Sequence, residues 1–371
     1  MASAKDQSRS SVRRRVWLLP VLSIVLSFST LFALLEVALR FLPVASGLRA
    51  PPVTVDAPVL RYTPDREFVY SRDWNFNMIN RGRINNAGFV NDQNYSHSDA
   101  RPMLAVIGDS YVQAQMVPYQ KTLHGLLAKA IKTSRVYSFG ASGAPLSQYL
   151  VYARYALDEW GAKALVINVV GNDFDESHTD YKSMPGFWYY RTTADGTLQL
   201  ELTSLRRGRF TSIVQQSALA RYLIINLGLN NLQYGAPKTP GELEYAGNTA
   251  TSMETARVET SLRVIDTFLA DLQHLPGLTP DRVLFTLDGF RYPEAAQARQ
   301  NSYFAHMRKA FIKRASDLGF EVIDLDPSFF AIHYTTDERF EFPMDGHWNA
   351  NGHRVAFEAV MNSRLLAKWP Y

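Results

Sequence analysis

From Met103 to the C-terminus, short apolar runs alternate with segments of helical periodicity, and this alternation constrains the fold more than any other feature. The apolar runs lie at residues 103–107, 135–139, 164–170, 282–287 and 320–325. Apolar residues keep one helical face at residues 123–131, 146–160 and 258–272. Strands that alternate with helices of this size predict a three-layer α/β/α fold with a five-stranded parallel sheet between the helices.

Each of the first three runs ends in glycine followed by polar residues. Ser110 comes just after the first run, Gly143 after the second and Asn172 after the third. The carboxyl ends of parallel strands meet at one edge of a sheet, which is where open α/β sheets bind their ligands. The sequence therefore predicts that these three residues converge on one site.

A fourth polar segment, Asp345-Gly346-His347, follows the fifth run and precedes a final helix that we expect to end near Ala367. Asn349 is a natural N-cap for that helix. We expect His347 to lie in the loop before the helix, within reach of Ser110.

These residue types suit acyl transfer through a serine nucleophile. A neutral hydroxyl is a weak nucleophile, so Ser110 needs His347 as its general base. The imidazolium that forms needs an anionic partner, which we assign to Asp345. The oxyanion needs preorganised donors, for which the backbone N–H groups of Ser110 and Gly143 and the side-chain amide of Asn172 are available.

The set of motifs resembles the SGNH (GDSL) hydrolase superfamily over about residues 100 to 370. The motif residues are Gly108-Asp109-Ser110, Gly143, Gly171-Asn172-Asp173 and Asp345-Gly346-His347. The resemblance implies a flavodoxin-like SGNH fold and serine esterase chemistry without a metal or cofactor. Most members space the last pair Asp-x-x-His, whereas here it is Asp-x-His. This shorter spacing resembles the alginate O-acetyltransferase-like branch and raises acyl transfer as an alternative to hydrolysis, although the motif order is that of ordinary SGNH hydrolases.

The N-terminus carries a second strong signal. A basic tail (residues 1–15) precedes twenty uncharged residues, Val16–Leu35, and we expect residues 16–43 to form a transmembrane signal anchor. A cleaved signal peptide and a buried core helix are the alternatives. The positive-inside rule places the tail in the cytoplasm and the rest outside it, which in a bacterium means an inner-membrane protein with its catalytic domain in the periplasm.

Two further segments are predicted between these landmarks. Residues 44–102 are expected to be an irregular arm that packs on the domain formed by residues 103–371. Residues 174–253 are expected to be an insertion with a hairpin, which turns at Asp195-Gly196, and a helix at about 217–227. The insertion is either a lid or substrate platform, or a small core of its own.

The remaining polar residues add little. Asp288 and Arg291 follow the fourth run and are predicted to contact substrate. The acidic run from Asp173 to Asp180 lacks the glycine and terminal glutamate of an EF-hand loop, so no metal is expected. The net charge is +4 (39 basic and 35 acidic residues), and the tail carries all of it, which argues against a nucleic-acid partner.

Three functions fit this sequence. The first is a periplasmic esterase that removes acetyl or other short acyl groups from an envelope glycan or lipid. The second is an O-acyltransferase of the same fold, in which a sugar hydroxyl takes the acyl group from Ser110 instead of water. The third is a catalytically inactive domain that only binds glycan.

Overall fold

The computed structural model describes residues 3–206, 215–229, 253–343 and 345–369 of the 371-residue chain. In chain order its strands are β1 (Arg66–Arg72), β2 (Met78–Ile84), β3 (Met103–Gly108), β4 (Arg135–Gly140), β5 (Ala162–Val169), β6 (Trp188–Thr192), β7 (Leu198–Leu202), β8 (Val283–Leu287), β9 (Glu321–Asp324), β10 (Glu341–Phe342) and β11 (Asp345–Trp348). Its helices are α1 (Ser3–Arg40), α2 (Ser110–Gln113), α3 (Leu123–Ala130), α4 (Leu146–Asp158), α5 (Ala218–Arg221), α6 (Thr255–Gln273), α7 (Pro293–Ala298), α8 (Tyr303–Asp317), α9 (Asp326–Thr336), α10 (Ala350–Met361) and α11 (Arg364–Ala367).

Five strands form one parallel sheet in the order β4-β3-β5-β8-β9. Numbered along the chain this order is 2-1-3-4-5, as in flavodoxin-like folds. The five predicted strands and their parallel pairing are therefore confirmed. Strand β3 lies at the centre of the predicted site, flanked by β4 on one side and β5 on the other.

Helices cover both faces of this sheet. On one face, Leu104 and Val106 of β3 pack with Leu123 and Leu127 of α3 and with Val355 of α10. Because every residue of β3 is buried, its sequence is a continuous apolar run rather than an alternating one.

On the other face, Phe285 of β8 contacts Phe268 of α6 and Phe311 of α8, with ring centroids 6.2 and 5.0 Å apart. Burial of each such side chain contributes about 1.5–3 kcal/mol to folding. The three-layer α/β/α prediction is confirmed by these two packed faces.

The connection between β5 and β8 contains the predicted hairpin. Strands β6 and β7 pair antiparallel on either side of the Asp195-Gly196 turn, and Gly196 has the positive φ of 86° that such a turn favours. The helix expected at 217–227 is α5, followed by a π-helical turn at Tyr222–Asn226. Residues 207–214 and 230–252 of the predicted insertion lie outside the described residues.

Two expectations need correction. Residues 44–102, expected to be irregular, contain β1 and β2, which form a two-stranded sheet. The final helix, expected to run to about Ala367, is interrupted at Asn362 and Ser363, where the Ser363 side chain caps the short helix α11. Asn349 caps α10 as predicted, since its Oδ1 accepts the N–H groups of Asn351 and Gly352.

Helix α1 contains one segment, Leu19–Arg40, that is long and apolar enough to cross a membrane. Its mean hydropathy is 2.2, and none of the most apolar stretch is buried against the protein. By internal contacts the chain divides into two compact units. The smaller comprises Met1–Gly47, Val69–Ile79 and Gly208–Gly235, and the larger comprises Leu48–Phe68, Asn80–Arg207 and Ala236–Tyr371.

Candidate active site

Ser110 stands at a tight turn from β3 into α2. Gly108 permits the turn, because a Cβ there would lie 2.5 Å from Cγ2 of Val112. Asp109 fixes the turn by accepting the N–H of Tyr111 on its Oδ1 at 2.9 Å. The serine is 8% exposed, so it lies at the floor of the site rather than on an open surface.

His347 and Asp345 reach Ser110 from the other end of the chain. The Nε2 of His347 lies 2.8 Å from the Ser110 Oγ, and its Nδ1 hydrogen-bonds to Oδ1 of Asp345. The same Oδ1 accepts the backbone N–H of His347 at 3.1 Å. One carboxylate oxygen therefore holds both the ring and the backbone of the histidine.

His347 does not lie in a loop, as expected, but on the short strand β11, which pairs antiparallel with β10. The pairing of Glu341 with Trp348 fixes the backbone immediately after the histidine. A strand of this kind holds its side chains more rigidly than a loop does, which suits a group that must face one oxygen atom.

The surroundings of His347 favour its protonated form. Burial lowers its pKa, but the carboxylates of Asp345 and Asp109 outweigh burial and the opposing charge of Arg291, and they raise the pKa above the usual value. An imidazolium at this position is thus stabilised, as the transition state of a serine-dependent acyl transfer requires.

Asp109 also contacts the nucleophile. The Ser110 hydroxyl lies 3.1 Å from Oδ2 of Asp109 as well as 2.8 Å from the His347 ring. Burial raises the pKa of Asp109, against the N–H of Tyr111 and the charge of His347, which lower it. A single hydroxyl proton therefore faces two acceptors.

Gly143 and Asn172 follow the two strands that flank β3. Gly108 pairs with Gly140, and Ile107 pairs with Ile167, so the residues just beyond β4 and β5 lie on either side of Ser110 at the same sheet edge. Gly143 has a φ of 80°, in the left-handed region that favours glycine. The structure therefore places all three predicted oxyanion residues at one edge.

The first part of the insertion contacts this edge. A methyl group at Gly143 would lie 3.4 Å from Nζ of Lys182 and 3.6 Å from Sδ of Met184. Lys182 forms an ion pair with Glu176, and Oε2 of Glu176 accepts Nδ2 of Asn172 at 2.7 Å. Sequence reasoning did not single out Lys182 or Met184, because nothing in the local pattern relates them to Gly143.

Asp288 and Arg291 follow β8, as predicted, and their contact with substrate stays a prediction. Both side chains are completely buried and pair with each other through two contacts of 3.1 and 2.5 Å. The pair lies at the carboxyl end of β8 and points into the protein. A buried charge needs a partner, and each residue is the partner of the other.

Two carboxylates of the acidic run after Asn172, Asp173 and Asp175, pair with other protein groups. Asp173 accepts the Tyr149 hydroxyl and the N–H of Val170, and Asp175 pairs with Arg257. Among the described residues, no group of three or more His, Asp or Glu side chains is arranged to hold a metal ion.

Comparison with known proteins gives several similar solved structures. No family model and no curated protein matches the chain. A lipolytic protein of the G-D-S-L family from Veillonella parvula is 10% identical, with a TM-score of 0.36 over 71% of this chain and 97% of that one. A lipase/acylhydrolase from Enterococcus faecalis is 12% identical, with a TM-score of 0.37 over 73% and 98%.

A two-domain esterase active on acetylated mannans is 9% identical, with a TM-score of 0.37 over 72% of this chain and 49% of that one. At these TM-scores, the similarity by itself decides neither the family nor the reaction. The chemistry of the site follows from the contacts among Ser110, His347 and Asp345.

Proposed function

We propose that this protein is a membrane-anchored serine esterase of the SGNH type that removes acetyl or other short acyl groups from an envelope glycan or lipid. The observation that carries the proposal is the chain of contacts from Asp345 through His347 to Ser110, with 2.8 Å between His347 Nε2 and the Ser110 Oγ. A nucleophile, a base within hydrogen-bond reach and a third group that orients the base are the requirements of this chemistry.

In the resting state, the Nδ1–H of His347 donates to Asp345, and its Nε2 accepts the Ser110 hydroxyl proton. As the serine oxygen attacks the ester carbonyl, the proton moves to Nε2 and the imidazolium is stabilised by Asp345. Collapse of the tetrahedral intermediate expels the alcohol, which takes the proton from His347 and leaves an acyl group on Ser110. Water then attacks by the same steps in reverse order.

The oxyanion is assigned to the N–H groups of Ser110 and Gly143 and to the amide of Asn172. An amide NH₂ has two donors, and Glu176 uses one of them. The contact with Glu176 therefore fixes the orientation of the Asn172 side chain and leaves its second N–H for the oxyanion. Such donors contribute about 2.7–4 kcal/mol each to transition-state stabilisation.

Packing at the end of α1 supports a retained anchor rather than a cleaved signal. The carboxylate of Glu36 accepts the Ser217 hydroxyl and the N–H groups of Ala218 and Leu219, the first residues of α5. Leu39 is buried in a cluster with Val44 and Ala218. Cleavage after this point would leave the N–H groups of α5 without their acceptor. With the basic tail in the cytoplasm, α1 spans the bacterial inner membrane and the catalytic domain lies on its periplasmic side.

An O-acyltransferase is the second candidate, and one observation favours it. Lys182 and Met184 of the insertion lie beside Gly143, and Ser110 is only 8% exposed. A covered site that restricts water favours transfer of the acyl group to a bound sugar hydroxyl.

One experiment tests both candidates. The full-length protein in detergent is assayed with p-nitrophenyl acetate, with and without a polysaccharide acceptor, and compared with Ser110→Ala and with the surface control Ser98→Ala. We expect Ser110→Ala to lower turnover by at least about 10³-fold, because the nucleophile is lost, and Ser98→Ala to match the wild type.

Acetyl recovered on the polysaccharide would identify a transferase, and acetate alone would identify an esterase. Absence of turnover together with absence of fluorophosphonate labelling at Ser110 would contradict both and leave a glycan-binding domain.

A further inference from the structure

The two completely buried charges at the end of β8 are connected to the strand that carries His347. The guanidinium of Arg291 pairs with Asp288 through Nε and Nη2. Its remaining nitrogen, Nη1, donates to the carbonyl oxygen of Gly346 at 2.9 Å. The planar fork of arginine fixes the directions of all these bonds at once, so the pair holds the carbonyl in a defined place.

Tyr111 also hydrogen-bonds to the carbonyl oxygen of Gly346. Its hydroxyl donates to the Gly346 oxygen at 3.1 Å and accepts Nη2 of Arg291 at 3.0 Å. Its ring lies 5.0 Å from the ring of His347. Burial is the main cause that raises the pKa of Tyr111 well above the usual value. The carboxylates of Asp288 and Asp109 raise it further, and the charge of Arg291 lowers it by less, so the hydroxyl keeps the proton that it donates.

The residue after the histidine is tied to the same pair. The indole Nε1 of Trp348 donates to Oδ1 of Asp288 at 3.0 Å. The backbone before His347, at Gly346, and the side chain after it, at Trp348, are therefore both fixed by the Arg291–Asp288 pair. Arg291, Asp288 and Trp348 are completely buried, and a hydrogen bond between buried groups is stronger than it is in water.

Arg291 adopts a backbone conformation that arginine ordinarily avoids. Its φ is 64°, in the left-handed region, and its N–H donates to Oδ1 of Asp326 at 2.9 Å. Gly289 lets this turn close around Asp326, since a Cβ there would lie 1.9 Å from the same oxygen. Strain of this kind persists where the surrounding structure determines it, and it clusters at functional sites.

We propose that Arg291 and Tyr111 are positioning residues that hold His347 against Ser110 through the carbonyl of Gly346. This inference rests on the proposed function, in which His347 is the general base. Only Gly346 separates Asp345 from His347, and its carbonyl belongs to the peptide group that leads into His347, so the orientation of that peptide affects the relation of the carboxylate to the imidazole. Two buried donors on that peptide therefore act directly on the alignment of the base.

The positive charge of Arg291 also affects the pKa of His347, which can be measured separately from turnover. The groups that face His347 are Asp345, Asp109, Arg291 and Tyr111, and the charge of His347 in turn lowers the pKa of His353. Among them, Arg291 is the cation, and it lowers the pKa of His347. Removing it should raise that pKa, whereas removing an arginine far from His347 should not.

The test uses the full-length protein and the variants Arg291→Met, Arg291→Lys and Tyr111→Phe. We expect Arg291→Met to lower kcat by about 10- to 100-fold with little change in KM, because a misplaced base slows chemistry more than binding. Arg291→Lys restores the charge without the fork and should recover only part of kcat. Tyr111→Phe removes one neutral donor and should lower kcat by about 3- to 10-fold without moving the pKa of His347.

The pKa of His347 is measured separately from turnover, by the pH dependence of its modification with diethyl pyrocarbonate, followed on the His347 peptide by mass spectrometry. The matched control is Arg135→Met. Arg135 is another buried arginine that donates to carbonyl oxygens, those of Arg101 and Ser96, at the start of β4 and so at the opposite edge of the sheet. We expect this control to lower the melting temperature without changing kcat or the pKa of His347.

Wild-type kcat and an unchanged His347 pKa in a folded Arg291→Met variant would overturn the inference. Should Arg291→Met fail to fold, Tyr111→Phe decides, and a wild-type kcat in that variant would overturn it. Should the wild type itself not cleave esters, the proposed function fails, and the His347 pKa still tests whether Arg291 acts on the histidine.

Discussion

The shared proton of Ser110 is the central feature at the scale of the residue. The Ser110 Oγ lies 2.8 Å from Nε2 of His347 and 3.1 Å from Oδ2 of Asp109, and its one proton can be donated to only one of them at a time. His347 can remove the Ser110 proton during attack only when the hydroxyl is turned towards the histidine. Asp109 therefore competes with the base for the nucleophile, while its charge also raises the pKa of that base.

The pH dependence of the reaction follows from these charges. A general base must be neutral, so kcat/KM falls as the pH drops through the pKa of His347, which lies above the usual value of about 6.5. Asp109→Asn removes a negative charge but keeps an oxygen for the N–H of Tyr111. We expect the acid limb of the pH–rate profile to move to lower pH in this variant.

Asp158→Asn on the exposed side of α4 serves as the control, and its profile should match that of the wild type. An acid limb of Asp109→Asn at the wild-type position, or at higher pH, would contradict this account of the site.

The residues that sequence could identify are those whose types and strand-end positions matter together. Ser110, Gly143 and Asn172 each follow a strand, so the topology of a parallel sheet brings them together wherever they occur in the chain. Arg291 and Tyr111 carry no such signal, because their role depends on the direction of side chains that meet only after folding. The position of Arg291 after β8 could be read from the sequence, but the burial of its side chain could not.

At the scale of the element, the packing of α3 against α10 contains two buried histidines. The Nε2–H of His124 donates to Oγ1 of Thr122, whose own proton goes to the carbonyl of Tyr119. His353 accepts the N–H of Leu123 on its Nδ1 at 3.2 Å. Burial lowers the pKa of each histidine to about 3, so both are neutral in the folded protein at neutral pH.

This pair makes folding sensitive to acid. In the unfolded chain both histidines bind a proton below a pH of about 6.5, whereas in the folded protein they do not until the pH approaches 3. Stability is therefore fully present above about pH 6.5 and is lost as the pH falls, by up to about 1.4 kcal/mol per histidine per pH unit. We expect His353→Gln to reduce this slope, measured by urea unfolding of the full-length protein at pH 7.5 and 5.5.

The exposed His274 provides the control, and His274→Gln should retain the wild-type slope. An unchanged slope in His353→Gln would show that other groups cause the loss of stability in acid.

Elements with strong periodicity were predictable for a physical reason. Strands β3, β4, β5 and β8 are almost entirely buried and therefore mainly apolar, and the helices that cover them keep an apolar face. Strands β10 and β11 have neither property. They are short, they pair with each other, and contacts with Arg291, Tyr111 and Asn349 help to fix their place.

At the scale of the whole molecule, the question is whether the apolar N-terminus is part of the mature protein. Composition alone left an anchor and a cleaved signal open, since both are apolar and follow a basic tail. The structure adds the carboxylate of Glu36, which accepts from Ser217, Ala218 and Leu219 within the smaller unit. A signal peptide that is removed has no reason to supply the acceptors for a helix of the mature chain.

We therefore expect the mature protein to keep α1 and to depend on Glu36 for local stability. In Glu36→Ala, the N–H groups of Ala218 and Leu219 lose their acceptor, at a cost of about 1–3 kcal/mol for each group left unsatisfied. The segment 215–229 should then open more readily, and trypsin should cut membrane-embedded protein after Arg221 faster than in the wild type. The exposed residue Glu67 supplies the control variant Glu67→Ala, for which cleavage should be unchanged.

The N-terminus of the mature chain decides the issue independently of the variant. Protein taken from membranes should begin within residues 1–15 and remain in the pellet after carbonate extraction. A mature chain that begins beyond Leu39 would contradict the retained anchor. It would also mean that α5 finds other acceptors for its first N–H groups, since a helix does not leave them unsatisfied when they are removed from water.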